Sequence, residues 1–286
     1  MPQTKHQIQS LLQTIDAHPR HRFGQNFMID QNLLRLVADA GGIIPGDAVI
    51  EVGPGTGTLT EELLARGADV LAVEIDRDLA GLLRTRFADN QHFTLIEGDA
   101  LAGKHAINAD VLAWITARRA DASNRQSIRL VANLPYNIAS PLVIELLIAG
   151  VDTLAFTVQK EVAERLRAAA DSDAYGPLSV IAQLLAKVEV LRTLPKQAFW
   201  PMPTIESSLV RMTRDNQLGD SAAEMGRFIH QLFASRRKTL RNALVSAGCD
   251  AQEMLEKEKL NFFLRPETLA PQQFLSLFKN KISAKT

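Results

Sequence analysis

The tetrapeptide Asn133-Leu134-Pro135-Tyr136 closes an apolar, β-branched run, Ile128 to Ala132, and carries the most specific chemical signal in the chain. A side-chain amide, backbone carbonyls stiffened by a proline and a phenol ring lie within four positions. The exocyclic N6 amine of an adenine is a poor nucleophile, because its lone pair is delocalised into the ring. Two oxygens that accept both N6 hydrogens hold the amine so that the lone pair turns out of the plane. The Asn133 side chain and the backbone carbonyl of Leu134 or Pro135 can supply them, while Tyr136 stacks on the base. The tetrapeptide contains no carboxylate or histidine, so the attack it suggests needs no general base. The matching electrophile is a methyl group on a sulfonium cation, whose charge disperses as the new bond forms. An Asn-Pro turn beside one buried tyrosine is the plainer alternative, and it does not account for the motifs that accompany the tetrapeptide.

A second constellation runs from Val49 to Asp76. The short apolar run Val49, Ile50, Val52 is followed by glycines at 53, 55 and 57, and a helical pattern resumes from Thr58 to Arg66. Glycine tolerates positive φ and has no Cβ, so such a loop can turn sharply and bring its N–H groups close to a polar ligand. Glu74 ends the next strand, VLAVE, where a carboxylate can accept from both hydroxyls of a ribose. A nucleoside ligand is therefore expected. The dinucleotide fingerprint G-x-G-x-x-G differs from Gly53-Pro54-Gly55-Thr56-Gly57, which is preceded by Glu51. A helix from Asp78 to Phe87 then leads to a third strand that runs out at Asp99. That carboxylate would face the base of the nucleoside and accept from an exocyclic amine, or else cap a helix.

Upstream, residues 4 to 17 form an amphipathic helix through Ile8, Leu11, Leu12 and Ile15, broken by Pro19. Polar amides between two aromatics follow in Arg20 to Asp30, before a helix through Leu33, Leu34 and Val37. By themselves Phe27 and Asp30 read as a hydrophobic staple and a cap. Residues 103–127, with Arg118, Arg119 and Arg125, are polar and helix-like and read as a surface excursion.

The chain has 286 residues, 46% hydrophobic and 22% charged, enough for one large or two smaller domains. Its single Cys249 excludes an intramolecular disulfide, and no metal site is expected. No run approaches a membrane span and the N-terminus is too polar for a signal peptide, so no membrane partner and a cytoplasmic location are expected. Lys and Arg balance Asp and Glu, 32 against 32. Residues 221–286 nevertheless hold 11 basic against 6 acidic residues, a net of +5, which leaves −5 for the rest. The polar stretch 216–221 suggests a division into domains 1–219 and 220–286. In the basic tail, SRRKTLR reads as a helix on which Arg237 and Arg241 share a face, with Lys238 beside them, and its plainer reading is a solvated helix face.

GQNFMID, EVGPGTGTLT, VEID, GDAL and NLPYNI stand in an order that resembles the adenine-N6 dimethyltransferases of ribosomal RNA. The resemblance continues in QKEVAERL, in Tyr175 to Ser179, in Phe199 to Pro203 and in Arg236 to Arg241, and it favours the small-subunit (16S) branch. It implies an α/β fold: a Rossmann-like S-adenosylmethionine-dependent methyltransferase domain with a small α-helical C-terminal domain. It implies S-adenosyl-L-methionine as cofactor and two methyl transfers to each of two adjacent adenines near the 3′ end of 16S rRNA, in an assembling 30S particle, by a monomer. By position, Asn26 and the Met28 backbone would hold the methionine end, Gly53 and Gly55 the loop, Glu74 with Ile75 the ribose, and Asp99 with Ala100 the cofactor adenine. Asn133 would touch both cofactor and target. Asn133, Leu134, Pro135 and Tyr136 would hold the target adenine, with Phe199 stacked on its opposite face after the base leaves its stack. Arg236, Arg237, Lys238 and Arg241 would contact RNA phosphates. Met28 stands where the family usually has Leu, and 103–127 is longer than the family pattern. Three other functions are weighed. A dinucleotide-dependent dehydrogenase leaves the tetrapeptide without a role, a catalytically idle nucleic-acid-binding relative would differ in activity alone, and a methyltransferase of large-subunit rRNA is the nearest rival.

Overall fold

A computed structural model describes residues 3–103, 106–120, 127–234 and 238–283. The chain forms two compact units, Met1–Ala163 with Glu189–Arg214, and Glu164–Val188 with Asp215–Thr286.

The first unit is built on a seven-stranded sheet. In chain order its strands are β1 (Ala48–Val52), β2 (Asp69–Glu74), β3 (Phe93–Glu97), β4 (Ile128–Asn133), β5 (Thr153–Gln159), β6 (Ala186–Leu194) and β7 (Ser207–Arg214). In space they lie in the order β3-β2-β1-β4-β5-β7-β6. Strands β3 through β5 pair in parallel, and β7 returns antiparallel to β5. Every residue of β1 is buried, as expected for a central parallel strand covered on both faces. The chain steps outward from β1 to β3 and then re-enters on the other side of β1 at β4. Such a reversal opens a crevice at the carboxyl ends of the strands. The register, with Ala48 beside Ile128 and Ile50 beside Leu130, brings the glycine loop after β1 alongside the Asn133 turn after β4.

The helices follow from local signals. Thr4 and Gln7 form a capping box for α1 (Lys5–Thr14), which buries Ile8 and Leu12. Asp30 caps α2 (Gln31–Ala40), its Oδ1 accepting from the N–H groups of Asn32 and Leu33 at 2.9 and 3.1 Å. Next come α3 (Thr58–Ala65), α4 (Arg77–Arg86, capped by Asp76), α5 (Ala109–Ala120) and α6 (Ala139–Ala149). Leu33, Leu34, Val37 and Ala38 of α2 and Leu59 and Leu63 of α3 share a core with Val49, Val70 and Val131 from the sheet. Phe27–Met28 pairs antiparallel with Phe199–Trp200 as a small separate ribbon.

Helix α7 (Lys160–Arg167) carries the chain onward, and the second unit holds α8 (Pro177–Leu185), α9 (Ala222–Phe233), α10 (Leu240–Ser246), α11 (Ala251–Lys257) and α12 (Pro271–Ser283). Buried aromatics knit it together: Phe233 lies 5.6 Å from Phe274 and 6.4 Å from Tyr175, ring centre to ring centre, and the Tyr175 hydroxyl donates to Leu269 O at 2.7 Å.

Several expectations change. In place of one cut at 219/220, residues 164–188 group with the C-terminal helices, and the division after the last strand falls at Arg214/Asp215. Gln183, on α8, bridges the carbonyls of Leu166 and Ala168 within that same unit. The 103–127 stretch is not a mere surface excursion. Helix α5 buries Val111 and Ile115, and Arg118 and Arg119 form ion pairs with Asp69 and Asp152 at 2.8 and 2.6 Å. Arg125 lies outside the described residues. In the basic tail Thr239 is extended and N-caps α10, its hydroxyl accepting from Asn242 N at 3.4 Å, so Lys238 lies outside the helix that carries Arg241; the expectation for Arg236 and Arg237 falls outside the described residues.

Candidate active site

Three chain segments converge where β1, β2 and β4 end. Gly53, Gly55 and Gly57 have φ of +72°, +61° and +81°. A Cβ on Gly53 would stand 3.1 Å from Pro135 Cγ, and one on Gly55 would stand 2.8 Å from the Phe27 ring. The glycines therefore serve two ends: they permit the left-handed turn, and they let the Asn133 turn and the Phe27 wall close on the loop.

Glu74 is buried beneath this loop. Its Oε2 accepts from Gly55 N at 3.1 Å and its Oε1 from Asp76 N at 2.9 Å, so the carboxylate is oriented by backbone with lone pairs remaining. Burial pushes its pKa up to about 7, against the opposing pull of those amides. Glu51 is also buried, and the Thr60 hydroxyl donates to it at 2.6 Å. Burial, with Glu74 nearby, raises its pKa to about 8. Asp99 sits at the exposed mouth, where its Oδ1 accepts from Leu101 N at 3.0 Å. It caps no helix; β3 instead leads into the short hairpin of Leu101–Gly103 with Ala106–Ile107.

At the end of β4 the Asn133 amide is held from both sides. Its Nδ2 donates to Asn26 O at 2.7 Å, and its Oδ1 accepts a short hydrogen bond from the Thr157 hydroxyl on β5. Pro135 O takes the Ile138 N–H of its own turn at 3.3 Å. The Tyr136 hydroxyl is 2.7 Å from Ser207 Oγ, and burial raises its pKa. The phenol therefore stays neutral and anchored at its far end.

Asn26, Met28, Gly53, Gly55, Glu74, Ile75, Asp99, Ala100 and Asn133 all line one cavity, together with Leu134, Pro135 and Tyr136. The Asn26 side chain donates to Gly24 O at 3.2 Å, and Met28 is buried with its backbone in the ribbon. Phe199 is not brought to the cavity. It is 2% exposed, pairs with Met28 and packs in the core with Leu33 and Leu34, so the stacking role expected for it does not hold in this conformation. The buried face of a two-stranded ribbon accounts for its aromatic character. Thr157 and Ser207 support the site without standing out in the sequence. The only signal for them is a run of apolar and β-branched residues after Gly150, TLAFTVQ, and a serine shortly after the Phe199–Pro203 motif. Lys238 and Arg241 are exposed in the second unit, whereas Arg236 and Arg237 lie outside the described residues.

The cavity offers what a nucleoside with a cationic tail would require: a buried carboxylate beneath the loop, a loop with three glycines at positive φ, and the Asn26 amide and Asp99 carboxylate on its wall. Comparison with known proteins bears on its identity. The family model described as ribosomal RNA adenine dimethylase matches residues 17–283. The chain is 38% identical over 271 residues to the ribosomal RNA small subunit methyltransferase A of Hahella chejuensis, covering 93% of each chain. It is also 38% identical to the protein of that description from Magnetococcus marinus, covering 94% of each. Among solved structures, a dimethyladenosine transferase from Plasmodium falciparum superposes with a TM-score of 0.71 at 22% identity, over 90% of this chain and 98% of that one. The 23S rRNA methyltransferase ErmE does so at 0.62 and 22% identity, over 89% and 98%, and both share the fold. With the family model matching nearly the whole chain and relatives at 38% identity along its length, this protein belongs to the ribosomal RNA adenine dimethylase family.

Proposed function

We propose that this protein dimethylates N6 of two adjacent adenines near the 3′ end of small-subunit (16S) rRNA, in an assembling 30S particle, as a cytoplasmic monomer. S-adenosylmethionine, the cofactor of the family, supplies a methyl group activated on a sulfonium. The observation that carries the reading is the convergence of the Asn133 turn, the glycine loop and Glu74 on one cavity at the switch point of the sheet.

Glu74 and the loop amides orient the nucleoside, Asp99 and Ala100 border its base, and Asn26 and Met28 border the opposite end. In the first transfer Asn133 Oδ1 and Leu134 O accept the two hydrogens of the target amine; the monomethylated amine of the second transfer has one hydrogen left for them to accept. Each acceptance strengthens as the nitrogen pyramidalises, so both oxygens stabilise the transition state more than the ground state. Tyr136 provides the aromatic face for the target base, its hydroxyl tethered to Ser207. Lys238 and Arg241, with Arg236 and Arg237, supply phosphate contacts from the C-terminal unit.

Relatives described as small subunit methyltransferases favour the small subunit over the large one. The test is incubation with labelled S-adenosylmethionine and undermethylated small and large subunits, followed by mapping of the modified base. Label on two adjacent adenines of the small subunit is the expected result. Label on the large subunit alone would overturn the substrate assignment.

A further inference from the structure

An asparagine amide has two nearly isosteric orientations, and only one of them presents an acceptor. In Asn133 the choice is made by its surroundings. Asn26 O is a backbone carbonyl and can only accept, so the amide nitrogen faces it, at 2.7 Å. The oxygen is thereby turned toward Thr157, whose hydroxyl must donate to it. Thr157 is fully buried, so its hydroxyl has no water to turn to, and Asn133 Oδ1 is the partner it finds. A carbonyl oxygen has two lone pairs, and one remains.

Strand pairing makes the arrangement rigid. Thr157 lies on β5, directly beside β4, with Thr157 in register with Asn133. On its other side β5 is bonded to β7, where Leu209 faces Thr157 and Ser207 faces Gln159. One antiparallel pair thus supplies both the hydroxyl that meets Asn133 and the one that meets Tyr136.

We propose that Thr157 is a positioning residue for methyl transfer, its hydroxyl fixing Asn133 Oδ1 so that the remaining lone pair meets the target amine. The proposal rests on the reading of Asn133 as an amine acceptor. Thr157 is fully buried behind Asn133 and is not among the residues that line the cavity, so its effect falls on the rate of transfer and not on binding.

The experiment compares Thr157→Val, Thr157→Ser, Thr157→Ala and Asn133→Ala by single-turnover methylation of undermethylated small subunits at saturating S-adenosylmethionine. Thr157→Val is expected to slow transfer by roughly 10- to 100-fold, the scale of a misplaced reacting group. Cofactor affinity and the subunit concentration at half-maximal rate should stay within about twofold, because Thr157 does not line the cavity. Thr157→Ser keeps the hydroxyl and should restore most of the rate, whereas Thr157→Ala should not. That serine-alanine comparison stands even if the valine variant folds poorly. Adding Thr157→Val to Asn133→Ala should cost little more, since the two act through one oxygen. Wild-type transfer in Thr157→Val, or serine and alanine variants slowed equally, overturns the proposal. If Asn133→Ala is slow and Thr157→Val is not, only the role of Thr157 fails. If Asn133→Ala transfers at the wild-type rate, the acceptor reading beneath it fails as well.

Discussion

Two buried carboxylates shape the cavity floor, and they act differently. Glu74 has its oxygens oriented by the Gly55 and Asp76 amides, with lone pairs left over for the ribose that we propose it holds. Glu74→Ala should weaken S-adenosylmethionine binding by about 1 to 3 kcal/mol, the range for losing a charged acceptor. Calorimetry on the folded variant measures this, and unchanged affinity would remove Glu74 from the site. Glu51 is tied instead to Thr60, and burial raises its pKa from 4.5 to about 8. Below pH 4.5 the group is protonated in both folded and unfolded chains and contributes no pH dependence. Between about 4.5 and 8 the unfolded chain has released the proton and the folded one still holds it, so stability falls as pH rises. Glu51→Gln keeps an acceptor for Thr60 and removes the titration. Its stability relative to wild type should therefore increase from about pH 5 to about pH 8, by at least about 1 kcal/mol, since each pH unit between the folded and unfolded pKa values is worth about 1.4 kcal/mol. Parallel denaturation curves across that range would contradict the assignment.

At the level of elements, the site depends on how strand ends meet. The turn after β1 and the turn after β4 touch through Gly53 and Pro135, so a change in one moves the other. Gly53→Ala places a Cβ 3.1 Å from Pro135 Cγ on a residue with φ of +72°. The left-handed conformation alone costs about 1 to 2 kcal/mol for a non-glycine residue. Thermal melting should show a loss of at least that size, and cofactor affinity should fall with it. Gly81, on α4, has open space where a Cβ would stand and an ordinary helical φ, so Gly81→Ala serves as the control and should be neutral or stabilising by up to about 1 kcal/mol. Equal losses in the two variants would mean that the loop geometry is not special.

Across the whole molecule, charge is distributed unevenly although it sums to zero. A neutral chain binds RNA through a local field, and the basic excess lies in residues 221–286. Lys238 and Arg241 are exposed there, on either side of the Thr239 cap. Replacing both with Ala should raise the dissociation constant for small subunits. For every phosphate that is no longer neutralised, the slope of log K against log salt should flatten by about 0.7 to 0.9. S-adenosylmethionine affinity should not change. Titration at several salt concentrations decides, and superimposable lines would return these residues to the role of a solvated surface.

The sequence alone determined the strand-loop-helix around Gly53 to Gly57, the acid at the end of β2, the cap at Asp30 and the α/β class. Each of these is written in local signals, such as glycine where φ is positive, a carboxylate at a helix start or a β-branched run with fixed spacing. It also singled out Asn133 to Tyr136, which the structure places on the cavity wall. Tertiary structure decided the rest. It showed Phe199 inside the ribbon core and not on the cavity wall, since which face of a two-residue strand is covered depends on elements far away in sequence. It grouped 164–188 with the C-terminal helices, a matter of long-range packing that no linker composition announces. And it set Thr157 against the Asn133 amide, because a contact between two adjacent strands is fixed by register, which neither strand carries by itself.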